Sequence, residues 1–159
     1  MGLTHVDPES NLPRMVDVGD KELTKRSATA RSIVSLPEIV RKQFEGGDIR
    51  TRKGPVFQTA IIAGTMAVKR THELIPFCHP IGIEKCTIDI VLNPEGDVVI
   101  ECSVGLSSRT GVEMEALTGS SVAALTVYDM CKALSQEIVI RETRLISKTG
   151  GKTDYRYNG

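Results

Sequence analysis

The sequence predicts an α+β fold of βαββαβ order, an antiparallel sheet with helices packed on one face, and three observations carry that prediction. First, Ile88, Ile90 and Leu92 alternate with Thr87, Asp89 and Val91. After the turn Asn93-Pro94-Glu95-Gly96-Asp97, Ile100, Cys102, Val104 and Leu106 alternate again, which is the pattern of a β-hairpin. Second, two segments flank that hairpin at helical length, the first rich in Ala, Ile, Met and Val and apolar enough to be buried on most sides, the second with Leu117, Val122, Ala124, Leu125, Tyr128 and Met130 at apolar positions. Third, one strand-like run stands before the first helix and one after the last.

Taken in order, residues 1–14 lack periodicity and read as a flexible arm. Residues 25–35 are small, β-branched and basic, a strand. Ser35-Leu36-Pro37-Glu38 matches a capping box with proline in the first turn, so a helix is expected over 36–44, stopped by Gly46-Gly47. Gly54-Pro55 opens a second helix over 58–70, in which Gly64 is the weak point. Pro76 and Pro80 stiffen Phe77-Cys78-His79 into an extended turn. The longest helix is expected over 112–134, followed by a strand over 137–146. Residues 15–147 make one domain, and residues 148–159, with Gly150, Gly151, Lys148 and Lys152, read as a flexible tail.

Bulk properties exclude several classes of function. The 159 residues hold 20 Lys plus Arg against 20 Asp plus Glu, and this balance leaves no overall electrostatic footprint for nucleic acid or an anionic membrane. Aromatic residues make up 4%, so the strands lack the stacking platforms of an RNA-binding sheet of this topology. Cys78, Cys86, Cys102 and Cys131 form no C-x-x-C pair and are expected to be reduced thiols. With no apolar leader and no run long enough to span a bilayer, a cytoplasmic location is expected.

Asp129 and Lys132 lie three apart on the longest helix and project to one side. As a surface ion pair they would contribute little. Their neighbours Ala124, Leu125, Val127, Met130, Cys131 and Ala133 suggest instead an acid and an ammonium set into a buried helix, where they could divide proton donation and acceptance. Glu113 and Glu115, in the first turn, either complement the helix dipole or accept from the N–H donors of a guanine-like edge; spacing does not choose between these. His79 has fixed geometry between prolines, but a metal site would need further ligands, and none is expected. Lys53 stands just before a helix N-terminus, where an anion such as phosphate is favoured. The tail Gly150-Gly151-Lys152-Thr153 is not a P-loop, because Ile146 replaces the first glycine and too few residues remain for the helix that must follow.

Several blocks are recognisable together: Lys53-Gly54; Leu74-Ile75-Pro76-Phe77-Cys78-His79-Pro80; Thr110-Gly111-Val112-Glu113-Met114-Glu115-Ala116-Leu117-Thr118; Tyr128-Asp129-Met130-Cys131-Lys132-Ala133; and Lys148-Thr149-Gly150-Gly151-Lys152. In order and spacing they resemble the molybdenum cofactor biosynthesis protein C family, the cyclic pyranopterin monophosphate synthases. That resemblance implies a ferredoxin-like fold and a lyase that converts 3′,8-cyclo-7,8-dihydroguanosine 5′-triphosphate to cyclic pyranopterin monophosphate with loss of pyrophosphate. It also implies a homohexamer, a trimer of dimers, with sites at dimer interfaces. By position, Asp129 is then the general acid/base and Lys132 and Lys53 assist it. Phe77, Cys78, His79, Met114 and Glu115 line the substrate pocket, with Arg26, Glu113 and Lys148 at further pocket positions. No redox cofactor is called for, and a divalent cation can accompany the triphosphate. Phe77 stands where the family usually has Leu, Arg109 where it has Lys, and Thr153-Asp154-Tyr155 departs from its small-residue ending. The alternative is a non-catalytic nucleotide-binding regulatory oligomer on the same scaffold.

Length adds one constraint. Roughly 14 to 19 residues at about 1.5 Å each separate the two ends of the longest helix. A single site that uses both ends would draw them from different subunits or different neighbours.

Overall fold

The computed structural model describes residues 5–159, and the first four residues of the expected N-terminal arm lie outside them. Within the rest of that segment Val6 and Pro13 form an isolated bridge, and Arg14 pairs with Asp7 at 2.7 Å. Among the described residues the main sheet has five strands: β1 (Thr24–Ser35), β5 (Lys85–Leu92), β6 (Asp97–Ser108), β7 (Val139–Thr149) and β8 (Tyr155–Arg156). Their spatial order is β5-β6-β1-β7-β8, with every pairing antiparallel. Without the short edge strand β8 this is the split βαββαβ arrangement, the ferredoxin-like topology.

Alternation along the strands decides which face is covered. Ala28, Ala30, Ser32 and Val34 of β1 and Val98, Ile100, Cys102, Val104 and Leu106 of β6 are buried on one side, beneath α2 (Val56–Lys69) and α4 (Glu113–Cys131). The opposite face carries polar cross-strand pairs, with Thr29 bonded to Ser103 at 2.8 Å and Arg31 to Glu101.

The two long helices cross at close range because small residues let them. A Cβ on Gly64 would lie 2.8 Å from the Gly119 carbonyl oxygen, and one on Gly119 would lie 2.5 Å from Val68 Cγ2 and 2.7 Å from Cys102 Sγ. Gly64, a weak point by helix propensity, is therefore required by the packing of backbone against backbone.

Several boundaries differ from the sequence reading. The helix expected over 36–44 is a single turn, α1 (Glu38–Arg41), with Pro37 at its N-cap and no side-chain cap bond. Ser35 cannot serve as the cap because it is the last ladder residue of β1, opposite Asp97 and Val139. Phe44 belongs instead to a small second sheet, β2 (Phe44–Glu45), β3 (Asp48–Thr51) and β4 (Gly54–Pro55). Gly46 and Gly47, both at positive φ, make the two-residue turn between β2 and β3. A further short helix, α3 (Thr71–Leu74), follows α2.

That small sheet has a function the sequence did not disclose. Asp48 is 6% exposed, and its carboxylate accepts backbone N–H bonds from Ile49 at 2.6 Å, Phe57 at 2.7 Å and Gln58 at 3.2 Å. Phe57 and Gln58 are in the first turn of α2, whose own N-cap, Pro55, offers no side-chain acceptor. Asp48 therefore caps α2 from a neighbouring strand, and it does so at the positive end of the helix dipole. It thereby pins the β3–β4 turn that carries Lys53.

Candidate active site

The sequence-selected residues gather at the two ends of α4. At its N-terminus a cleft of about 640 Å³ is lined by Arg26, Phe77, Cys78, His79, Glu113, Met114, Glu115 and Lys148. These come from β1, the proline-stiffened turn after α3, the first turn of α4 and the end of β7. Lys152 of the tail also lines it, together with Lys21 and Arg109, two cations that the sequence reading did not place in the pocket. They sit on loops, and only the fold brings them there.

Several side chains in the cleft are held by identifiable partners. His79 Nε2 lies 2.7 Å from the Val16 carbonyl oxygen. A carbonyl only accepts, so Nε2 carries a proton and donates a hydrogen bond to Val16. Lys148 Nζ pairs with Glu113 Oε1 at 2.9 Å, both chains about a third exposed. Arg26 Nε reaches the Ser108 carbonyl at 3.4 Å, a long contact that leaves the guanidinium free toward the cleft. Glu115 is 4% exposed, and burial, with the nearby Glu113 charge adding to it, pushes its carboxyl up to about 6. Burial and the Glu115 carboxylate also push the Cys78 thiol up. Cys78 is thus a neutral wall of the cleft at neutral pH, not a thiolate nucleophile.

At the other end of α4, Asp129 lies between two ammonium groups. Lys132 Nζ meets Asp129 Oδ1 at 2.7 Å, and Lys53 Nζ donates to Oδ2 at 2.8 Å and to the Asp129 backbone carbonyl at 3.0 Å. The Lys132 and Lys53 hydrogen bonds hold the Asp129 carboxyl down at about 2, and the same contact raises Lys132. The expectation that this pair is buried in the helix is corrected here. The side chains of Asp129 and Lys132 are 53% and 52% exposed, because Ala123, Ala124, Val127, Met130 and Cys131 face the core while Asp129 and Lys132 fall on the outer side of the turn. Beside them a second hollow of about 700 Å³ is lined by Gln43, Arg50, Arg52, Lys53, Met130 and Leu134.

The two clusters share no lining residue, and 14 residues of helix, about 20 Å, separate Glu115 from Asp129. Among the described residues no three His, Cys, Asp or Glu side chains converge to hold a metal ion, and no helix is long and apolar enough to cross a membrane. All four cysteines are free thiols.

Comparison with known proteins matches this arrangement to one family. Over 152 residues the chain is 59% identical to the cyclic pyranopterin monophosphate synthase of Xanthomonas oryzae pv. oryzae, covering 96% of this chain and 92% of that one. It is 48% identical over 158 residues to the synthase of the same name from Brevibacillus brevis, covering 99% and 96%. It is 53% identical over 155 residues to the molybdenum cofactor biosynthesis bifunctional protein of Synechocystis, covering 95% of this chain and 44% of that longer one. The MoaC family pattern matches residues 15–151, a span that takes in most of the cleft lining and the Lys53–Asp129–Lys132 cluster, and the chain belongs to that family.

Proposed function

We propose that the protein is a cyclic pyranopterin monophosphate synthase, a lyase of molybdenum cofactor biosynthesis that converts 3′,8-cyclo-7,8-dihydroguanosine 5′-triphosphate to cyclic pyranopterin monophosphate and pyrophosphate. The observation that carries this reading is the cleft at the N-terminus of α4, where recognition carboxylates and anion-binding cations face one cavity. Glu115 as a carboxylate accepts from the N–H donors of the guanine-derived ring, with Met114 and Phe77 against the ring faces. Arg26 and Lys148 stand around the phosphates and offset the charge that develops as pyrophosphate departs, and Lys152 adds to the binding of the phosphates. Proton transfer during ring opening and closing falls to Asp129 with Lys132 and Lys53. With its carboxyl held near 2, Asp129 is ionised throughout the neutral range, so it orients the two lysines, and they present the transferable protons.

Because the two clusters lie at opposite ends of α4, one protomer supplies the cleft and another the proton-transfer group. We place them at a dimer interface within a homohexamer, a trimer of dimers. Ile62 and Met66 of α2 and Leu125 of α4, which are 62%, 45% and 58% exposed, support an assembly that covers the helical layer. No redox cofactor takes part, and any divalent cation enters as the counter-ion of the triphosphate. The reaction takes place in the cytoplasm.

Incubating the purified protein with the cyclic triphosphate tests the reading. Pyrophosphate release with formation of the cyclic monophosphate is expected, whereas tight binding without release would establish the regulatory alternative. The same assay carries a pH signature. The raised carboxyl of Glu115 means that its accepting form is complete only above about pH 6 and is lost as the pH falls through that value. The kcat/KM profile should therefore show an acidic limb near pH 6. In Glu115→Gln that limb should disappear and the plateau should drop by roughly ten- to a hundredfold, in line with loss of a charged acceptor.

A further inference from the structure

The segment after β7 is built as a clip. Gly150, at a φ of +81°, sits so close to β1 that a Cβ there would lie 1.9 Å from the Lys25 carbonyl oxygen. Both of its backbone groups are tied: the Thr24 hydroxyl donates to its carbonyl at 2.8 Å, and its N–H donates to Asp154 Oδ1 at 3.0 Å. The chain then bends past Arg26 and returns as β8 along the edge of β7, pairing Lys148 with Tyr155 and Ser147 with Arg156. Tyr157 N–H reaches the Ile146 carbonyl at 2.7 Å, and the Arg144 guanidinium lies 4.3 Å over the Tyr157 ring. Between the two anchored points, Gly151, Lys152 and Thr153 form a wall of the cleft. Among the described residues Lys152 has no ion-pair partner, unlike Lys148, which Glu113 holds. Asp154 and β8 lie beyond residue 151, where the family match ends.

We propose that Asp154 is a positioning residue: by accepting the Gly150 N–H it closes the turn at residues 150–154 and presents Lys152 to the phosphates of the substrate. This deepens the reading of the cleft as the triphosphate site and rests on it. A loop that must be ordered as it binds raises the dissociation constant by the conformational entropy it gives up, whereas a turn closed beforehand does not. Asp154 touches neither the ring-binding carboxylates nor the proton-transfer cluster, so it acts on binding and leaves the chemical step alone.

Steady-state kinetics of Asp154→Ala and Asp154→Asn, with titration calorimetry of inorganic pyrophosphate, test this. In Asp154→Ala the loss of one charge-assisted hydrogen bond should raise KM and the pyrophosphate Kd together by roughly five- to tenfold, with kcat within about twofold. Asparagine keeps an acceptor oxygen at the same place and should recover most of both. Unchanged KM and pyrophosphate affinity in Asp154→Ala would overturn the inference. So would an asparagine variant as impaired as the alanine one, since the bond to Gly150 would then not be the cause. A parent protein that releases no pyrophosphate at all overturns the functional reading instead. A parent that turns over normally beside an indifferent Asp154→Ala overturns this inference alone.

Discussion

Asp129→Asn should abolish turnover while leaving substrate binding close to that of the parent. Among the described residues the carboxylate is the only acid paired with Lys53 and Lys132, with one oxygen on each ammonium. Asparagine has the same shape but no charge. It leaves two ammonium groups facing each other across a neutral amide, so the lysines separate and the contact that raises Lys132 is lost. Both consequences strike the chemical step, because correctly placed proton donors and acceptors are worth roughly 10²- to 10⁴-fold in rate. A fall in kcat of that order, measured in single turnover so that product release does not mask it, is the expected result. KM should move little, because the ring and phosphate contacts are made at the far end of α4. The fold should be unaffected, since half-exposed ion pairs contribute little to stability. Retention of near-parental kcat would remove Asp129 from the chemistry and favour the regulatory alternative.

The burial of Asp129 was misread for a reason that applies to any small-residue helix. Ala123, Ala124, Val127 and Cys131 mark α4 as a core helix, but a helix that crosses a sheet and another helix still has an outer stripe, and Asp129, Lys132 and the exposed Leu125 lie on it. Strand alternation, by contrast, was legible because the period of two in β5 and β6 is uninterrupted and bounded by turn residues. The Ser35-Leu36-Pro37-Glu38 pattern misled because a capping serine must leave the strand, and twelve ladder partners keep Ser35 and the rest of β1 in it. Asp48 gave no local signal at all. Its partners Phe57 and Gln58 are nine and ten residues away, and only folding of the small sheet brings them to its carboxylate. The cleft was readable to the extent that its residues fall in recognisable blocks. Lys21 and Arg109 entered it through loop geometry, which no periodicity encodes.

Mixing two defective chains should restore activity. A straight helix is rigid over the about 20 Å between Glu115 and Asp129, and Glu115 lines a cleft in which no residue of the Asp129 cluster takes part. If the working site joins the cleft of one protomer to the Asp129 cluster of another, Glu115→Gln and Asp129→Asn chains damage opposite halves of it. In an assembly of the two chains made in equal amounts by co-expression, a site is intact when its cleft comes from an Asp129→Asn chain and its proton-transfer cluster from a Glu115→Gln chain. Each condition holds with a probability of one half for random assembly, so roughly a quarter of the sites should be fully functional. Activity near that fraction of the parental value, far above the sum of the two variants measured alone, is expected. The excess should vanish when the two proteins are purified separately and mixed under conditions where subunits do not exchange. Activity no greater than that sum in the co-expressed sample would mean that both halves are drawn from one chain, and the arrangement at a dimer interface would fall.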